Sequence, residues 1–215
     1  MELTGLLGGT FDPPHNGHVA LARSALERFE LERLVVMVAG RPPQKAATLD
    51  PETRFRLAAA AFEGAARVQL SRHEVERLGV SHTIETVRYA RREWGEVILL
   101  IGADQFAGFL TWREPDAILE HARLGVATRP GVPDDRRANV LSALACPNRV
   151  EFFEIPAVDV SSSEVRRRLE AGEPVDDLVP LSVASLLAQL WPPAGQVASA
   201  ARGYNPEQRR DPTEL

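Results

Sequence analysis

The sequence is short of cysteine. Cys146 stands alone, so no intrachain disulfide can form, which fits a reducing, cytoplasmic setting and not a secreted scaffold. Long hydrophobic runs are missing too. The longest clean one, Val97-Ile98-Leu99-Leu100-Ile101, falls far below the ~20 residues that span a bilayer. The first ten residues, MELTGLLGGT, carry an acid and turn glycines, and so do not read as a signal peptide. A basic excess is also lacking. Twenty-five Lys and Arg against thirty Asp and Glu leave a net charge of −5. A broad nucleic-acid-binding face would push that balance the other way, so any anion contact should be local. Neither a nucleic acid nor a membrane is an expected partner.

What remains is ordinary for a soluble globular chain: 215 residues, 44% apolar and 26% charged. That is enough for one domain with its own core. Short apolar runs at 3–7, 34–38, 68–70, 97–101, 124–127 and 150–155 read as buried strands. Amphipathic patterns at 18–29, 51–62, 83–94, 134–144, 160–171 and 181–190 read as helices. Strand–helix alternation with strands apolar throughout predicts an α/β fold, a parallel sheet with helices on both faces. Residues 1–191 form the expected domain. Residues 192–215, with four prolines and no apolar period, read as a mobile tail.

In an open parallel sheet, ligands sit beyond the carboxyl ends of the strands. The residues just past each strand therefore matter most. After the first comes Gly8-Gly9-Thr10-Phe11-Asp12-Pro13-Pro14-His15-Asn16-Gly17-His18. The paired glycines let the backbone turn and approach a ligand. Asn16 is a plausible N-cap, and the helix start behind it favours an anion through free N–H groups and its dipole. The same positive end keeps His18 neutral until a phosphate arrives. A His-x-x-His pair can also bind metal, but no third ligand is apparent.

After the last strand, Ser161-Ser162-Ser163-Glu164-Val165-Arg166 repeats the logic. Ser161 and Glu164 fit a capping box, Ser162 and Ser163 occupy the first turn, and Arg166 reaches the same face. The plain alternative is a capped helix with a basic exposed face. Other strand exits carry Lys45 behind a stiff Pro42-Pro43 pair, Gly102 and Asp104, and Arg129-Pro130-Gly131. Each has an ordinary reading as well: a solvated lysine, a helix cap, a turn. Trp112 is either core or a stacking platform for a flat ring.

The first of these segments resembles the GGTFDPxHxGH signature of the nucleotidylyltransferase superfamily, and the second resembles its [ST]-S-[ST]-x-[IV]-R signature. Gly102-Ala103-Asp104, Trp112 and Arg129-Pro130-Gly131 between them resemble the superfamily's bacterial nicotinate mononucleotide adenylyltransferases. The resemblance covers residues 1 to about 191. Two positions depart from that pattern: Gln44 stands where a histidine is common, and His82 where a tyrosine is.

The resemblance implies a Rossmann-like fold and a reaction of ATP with nicotinate mononucleotide that gives deamido-NAD and pyrophosphate, with Mg²⁺ carried mainly by the phosphates. His15, His18, Lys45 and Arg166 would be catalytic. Gly8, Gly9, Thr10, Phe11, Gly102, Asp104, Ser161, Ser162 and Ser163 would bind ATP. Thr83, Trp112 and Arg129 would bind the mononucleotide. No metal-ligating protein residues are expected. The rival readings are a same-fold adenylyltransferase for nicotinamide mononucleotide or phosphopantetheine, and a non-catalytic nucleotide-binding regulator.

Overall fold

Six apolar stretches become the strands of one parallel sheet in the computed structural model, which describes residues 3–43, 46–128 and 135–191. The strands are β1 (Leu3–Gly9), β2 (Arg33–Val38), β3 (Val68–Ser71), β4 (Glu96–Gly102), β5 (Arg123–Thr128) and β6 (Val150–Glu154). Their order is β3-β2-β1-β4-β5-β6, the doubly wound Rossmann arrangement. The helices are α1 (Asn16–Arg28), α2 (Pro51–Ala61), α3 (His73–Glu76), α4 (Thr83–Trp94), α5 (Ala103–Ala107), α6 (Pro115–His121), α7 (Asp135–Ala143), α8 (Ser162–Ala171) and α9 (Leu181–Leu190).

Because successive strand residues face opposite ways, an uninterrupted apolar strand feeds two cores. Leu7, Ile98 and Leu100 join Ala25, Leu57, Val165 and Leu187 beneath α1, α2, α8 and α9. Leu6, Val97, Leu99 and Ile101 join Ile84, Phe106, Ile118 and Val140 beneath α4 to α7. Truncating a fully buried leucine such as Leu6 would cost roughly 2–5 kcal/mol. Helices therefore cover both faces, as the alternation predicts. No helix among the described residues is long and apolar enough to cross a membrane.

Helix starts are written in the sequence. Asp50 caps α2 by accepting from the Thr53 amide at 3.0 Å, with Pro51 at the first helical position. Ser161 caps α8, accepting from the Glu164 amide at 3.1 Å. The expected reciprocal half of that box does not form. Arg167 and Arg168 take the Glu164 carboxylate instead, at 2.9 and 3.1 Å, and those hydrogen bonds hold it down at about 2.

Candidate active site

The strand order reverses between β1 and β4, and there the sheet opens. Their pairing ends at Leu7↔Leu100, although β1 runs on to Gly9 beside β2 and β4 to Gly102 beside β5. The two strands thus part at their carboxyl ends and leave a crevice, the place where such sheets take ligands. A Cβ on Gly8 or on Gly102 would meet no protein atom within 4 Å, so both keep that mouth unobstructed. Gly9 has a different reason: a Cβ there would press on the Phe11 ring at 3.0 Å.

The loop after β1 is bound down on every side. Phe11 is buried with φ 51, in the left-handed region. The buried Asp12 carboxylate accepts from the amides of Thr48 at 2.6 Å and Leu49 at 3.1 Å. The residue that caps α1 is His15, not Asn16 as the sequence suggests. Asn16 lies one position on. Its backbone amide donates to the Leu178 carbonyl at 2.9 Å and its side chain to the Asp177 carbonyl at 3.1 Å. One N–H expected to greet an anion is therefore committed elsewhere, because the segment after α8 folds back over this helix start.

His18 holds the terminus from the other side. Its Nδ1 accepts from the His15 backbone N–H at 3.1 Å, so that nitrogen carries no proton and Nε2–H is the donor it can offer. The His15 and His18 rings lie 3.8 Å apart and Phe11 packs on His18 at 4.9 Å. No acid occupies the first turn of α1.

The second signature packs directly on the first, 149 residues earlier in the chain: the Ser162 hydroxyl donates to the Pro13 carbonyl at 2.9 Å. Arg166 donates to the Asp12 carbonyl, lies 3.8 Å from the Asp12 carboxylate and reaches the Ser163 hydroxyl at 3.3 Å. Ser161 is occupied as a cap. Arg167 and Arg168 are engaged by Glu164, Glu173 and Asp177 on the outer face. Two helix N-termini, those of α1 and α8, thus start side by side at one sheet edge.

The remaining candidates occupy the β4 side. Asp104 is exposed in the first turn of α5 and is not its cap; Gly102 is, its amide donating to Gln105 at 3.1 Å. Trp112 is half-buried against Phe109 at 5.3 Å, edging the second core. Thr83 opens α4 behind the cap His82. Lys45 and Arg129 lie outside the described residues, as do Gln44, Pro130, Gly131 and residues 192–215.

Sequence reading overlooked the residues that hold this edge in shape. Ser81 accepts from the amides of Gly40 at 3.0 Å and Arg41 at 3.2 Å. The buried Glu74 takes hydrogen bonds from the Thr86 and Ser81 hydroxyls, and burial pushes its carboxyl up. Arg54 is buried inside α2. The one signal for it was a charged residue on the apolar side of that helix pattern.

An open crevice at the switch point, paired helix starts and imidazole, hydroxyl and guanidinium donors suit a nucleoside polyphosphate. The chain belongs to the cytidylyltransferase-like family, which it matches over residues 6–168. Within that family it groups with the nicotinate-nucleotide adenylyltransferases. A probable one from Thermus thermophilus is 38% identical over 181 residues, 83% of this chain and 92% of that protein. Another from Moorella thermoacetica is 34% identical over 186 residues, 83% of this chain and 86% of that protein. The nicotinic acid mononucleotide adenylyltransferase of Plasmodium falciparum, solved in complex with NaAD, shares the fold at a TM-score of 0.70. That likeness covers 88% of this chain and 96% of that one at 15% identity.

Proposed function

We propose that the protein transfers the adenylyl group of ATP to nicotinate mononucleotide, releasing pyrophosphate and forming deamido-NAD in NAD biosynthesis. The observation that carries this is the contact between the two signatures, Ser162 on the Pro13 carbonyl at 2.9 Å and Arg166 on that of Asp12. It brings two anion-favouring helix starts to one crevice. The names of the curated relatives support the choice of acceptor.

The chemistry needs no general base. A 5′-phosphate oxygen of the mononucleotide, already ionised at neutral pH, attacks the α-phosphorus of ATP in line. The bond from that phosphorus to the bridging oxygen breaks, and pyrophosphate leaves with its electron pair. Catalysis is then positioning plus stabilisation of the charge gathering on the leaving group. In this reading His15, His18, Lys45 and Arg166 hold the triphosphate with Thr10, Ser162 and Ser163; the amides of Gly8 and Phe11 line it, and Gly9 lets the backbone approach it. For Ser162 that means exchanging its Pro13 bond for a phosphate oxygen. Ser161 serves by capping α8. Gly102 and Asp104 receive adenosine, Trp112 stacks on the pyridine, and Thr83 and Arg129 lie near its carboxylate.

The start of α4 supports an acid in preference to an amide at that position. Glu85 in its first turn would oppose a carboxylate, but Arg77 bonds it and Arg113 stands 3.7 Å away. Those contacts, the Arg77 hydrogen bond first, hold the Glu85 carboxyl below its usual range and answer its charge. Among the described residues no three His, Cys, Asp or Glu side chains gather as a metal site. In this reading Mg²⁺ enters on ATP, where it would shield the phosphate charge. A cytoplasmic enzyme fits these substrates.

Pyrophosphate release is to be measured with ATP and, separately, nicotinate mononucleotide, nicotinamide mononucleotide and phosphopantetheine. The nicotinate compound should give the highest kcat/KM. Release with phosphopantetheine alone would move the protein to another acceptor class. ATP binding without release from any acceptor would make it a nucleotide-binding regulator.

A further inference from the structure

Helix α2 carries an arginine where its apolar face meets the sheet. Arg54 is 1% exposed and ranks among the largest fully buried side chains. Burying a guanidinium is costly unless its N–H groups find acceptors. Its Nε donates to the Leu49 carbonyl at 3.0 Å. Nη1 donates to those of Thr10 at 2.8 Å and Ala39 at 2.6 Å, and Nη2 to that of Gly40 at 3.0 Å. The four carbonyls belong to three separate segments: the exit of β1, the exit of β2 and the approach to α2. One planar fork thus sets three loops of the ligand edge against one another.

The Thr10 contact bears most directly on the crevice. A trans peptide is planar with its C=O and N–H opposed. Turning the Thr10 carbonyl inward to Arg54 therefore turns the Phe11 N–H away from it. Phe11 sits at φ 51, a conformation an L-residue keeps only when its surroundings enforce it. The same anchoring reaches Asp12, because Leu49 gives its carbonyl to Arg54 and its amide to the Asp12 carboxylate at 3.1 Å.

We propose that Arg54 is a positioning residue for adenylyl transfer. By holding the Thr10, Ala39, Gly40 and Leu49 carbonyls in register, it fixes the Phe11 amide as a donor facing the phosphates and spaces the β1 and β2 exits around them. Its kinetic consequence rests on the adenylyl-transfer reading; its structural consequence does not. Lysine is no substitute, since three donors on one nitrogen cannot span four carbonyls held by a planar fork.

The test uses the full chain with Arg54→Lys and Arg54→Ala, read by amide hydrogen exchange and by pyrophosphate release. In Arg54→Lys, protection should fall at least about tenfold at Gly40, Arg41, Thr48 and Leu49, while the amides of α4 and α9 change by less than about twofold. Its kcat should drop about 100-fold, with KM for the mononucleotide within about threefold. Guanidinium ion at tens of millimolar should restore about tenfold or more of the activity of Arg54→Ala, and methylammonium should not. Loss of protection spread evenly over the chain would overturn the proposal, as would a folded Arg54→Lys with kcat within about threefold of wild type. Should Arg54→Ala fail to fold, Arg54→Lys and Arg54→Gln decide on exchange and kcat alone. Should wild type itself release no pyrophosphate, the adenylyl-transfer reading falls separately. Arg54 is then judged on ATP affinity: about tenfold weaker binding with local deprotection upholds it, and unchanged affinity overturns it.

Discussion

His18 presents a donor whose direction is already set before any ligand arrives. Its Nδ1 accepts from the His15 backbone at 3.1 Å, so the ring cannot rotate without giving up that bond, and Nε2–H stays aimed by it. Preorganised donors of this kind contribute through the charge they meet in the transition state. His18→Ala should therefore cut kcat by about 100- to 1000-fold, leave the circular-dichroism spectrum unchanged and lower the melting temperature by only a few degrees, about what the loss of one capping bond costs. A variant within a few-fold of wild type would remove His18 from the phosphate site. The histidine, its helix terminus and the charge argument about it are local facts, and so they could be read in the chain. Asn16 could not be placed correctly in the same way. Its cap role was displaced by Leu178 and Asp177, partners some 160 positions distant that no local rule anticipates.

Among the elements, the strands were the easiest to foresee, because a sheet buried on both faces needs apolar residues at every position. β4 reads GluValIleLeuLeuIleGly and could hardly be anything else. Helices α3 and α6 escape the pattern for the opposite reason, and α5 shows only as the alternative reading of Asp104 as a helix cap. In chain order the three have 4, 5 and 7 residues, too few for a 3.6-residue period to register, although Pro115 marks the start of α6. The joints between elements were equally hidden. At one of them Glu74 links α3, the start of α4 and the exit of β2. Ser81 and Thr86 donate to its carboxylate, and Ser81 accepts from Gly40 and Arg41. Gly40 is required there, since any Cβ would overlap the Glu74 carbonyl oxygen.

That joint has a pH signature. Burial raises the Glu74 carboxyl above its ordinary 4.5, with the Thr86 and Ser81 hydrogen bonds and then Arg77 opposing and Glu85 reinforcing the shift. A raised acid binds protons more tightly in the native state than in the unfolded one. Stability therefore declines as pH rises from about 4.5 through the native value. Glu74→Gln keeps an oxygen for both hydroxyls and removes the proton. Over that window the melting temperature of wild type should fall relative to Glu74→Gln. A pH-independent difference between the two would show that the carboxyl binds its proton equally well in the native and unfolded states, so that burial does not raise it.

For the molecule as a whole, the decisive question is whether α1 and α8 act on one ligand. Each helix sits in the first hydrophobic core, so their starts are held together by the same packing that stabilises the fold, with Ser162 and Arg166 completing the junction. Ligand bound across that junction favours the native state by mass action, about 2.7 kcal/mol at a concentration 100 times Kd. For a chain of this size each kcal/mol moves the melting temperature about 2–4 °C, so saturating ATP with Mg²⁺ should raise it by roughly 5–10 °C. The rise, taken against each protein's own ligand-free value, should shrink both in His18→Ala and in Arg166→Met, one variant on each side. Adenosine, which lacks the phosphates, should give a smaller rise that neither variant alters. If Arg166→Met kept the full ATP-induced rise while His18→Ala lost it, α8 would be a brace for the first loop and not half of the polyphosphate site.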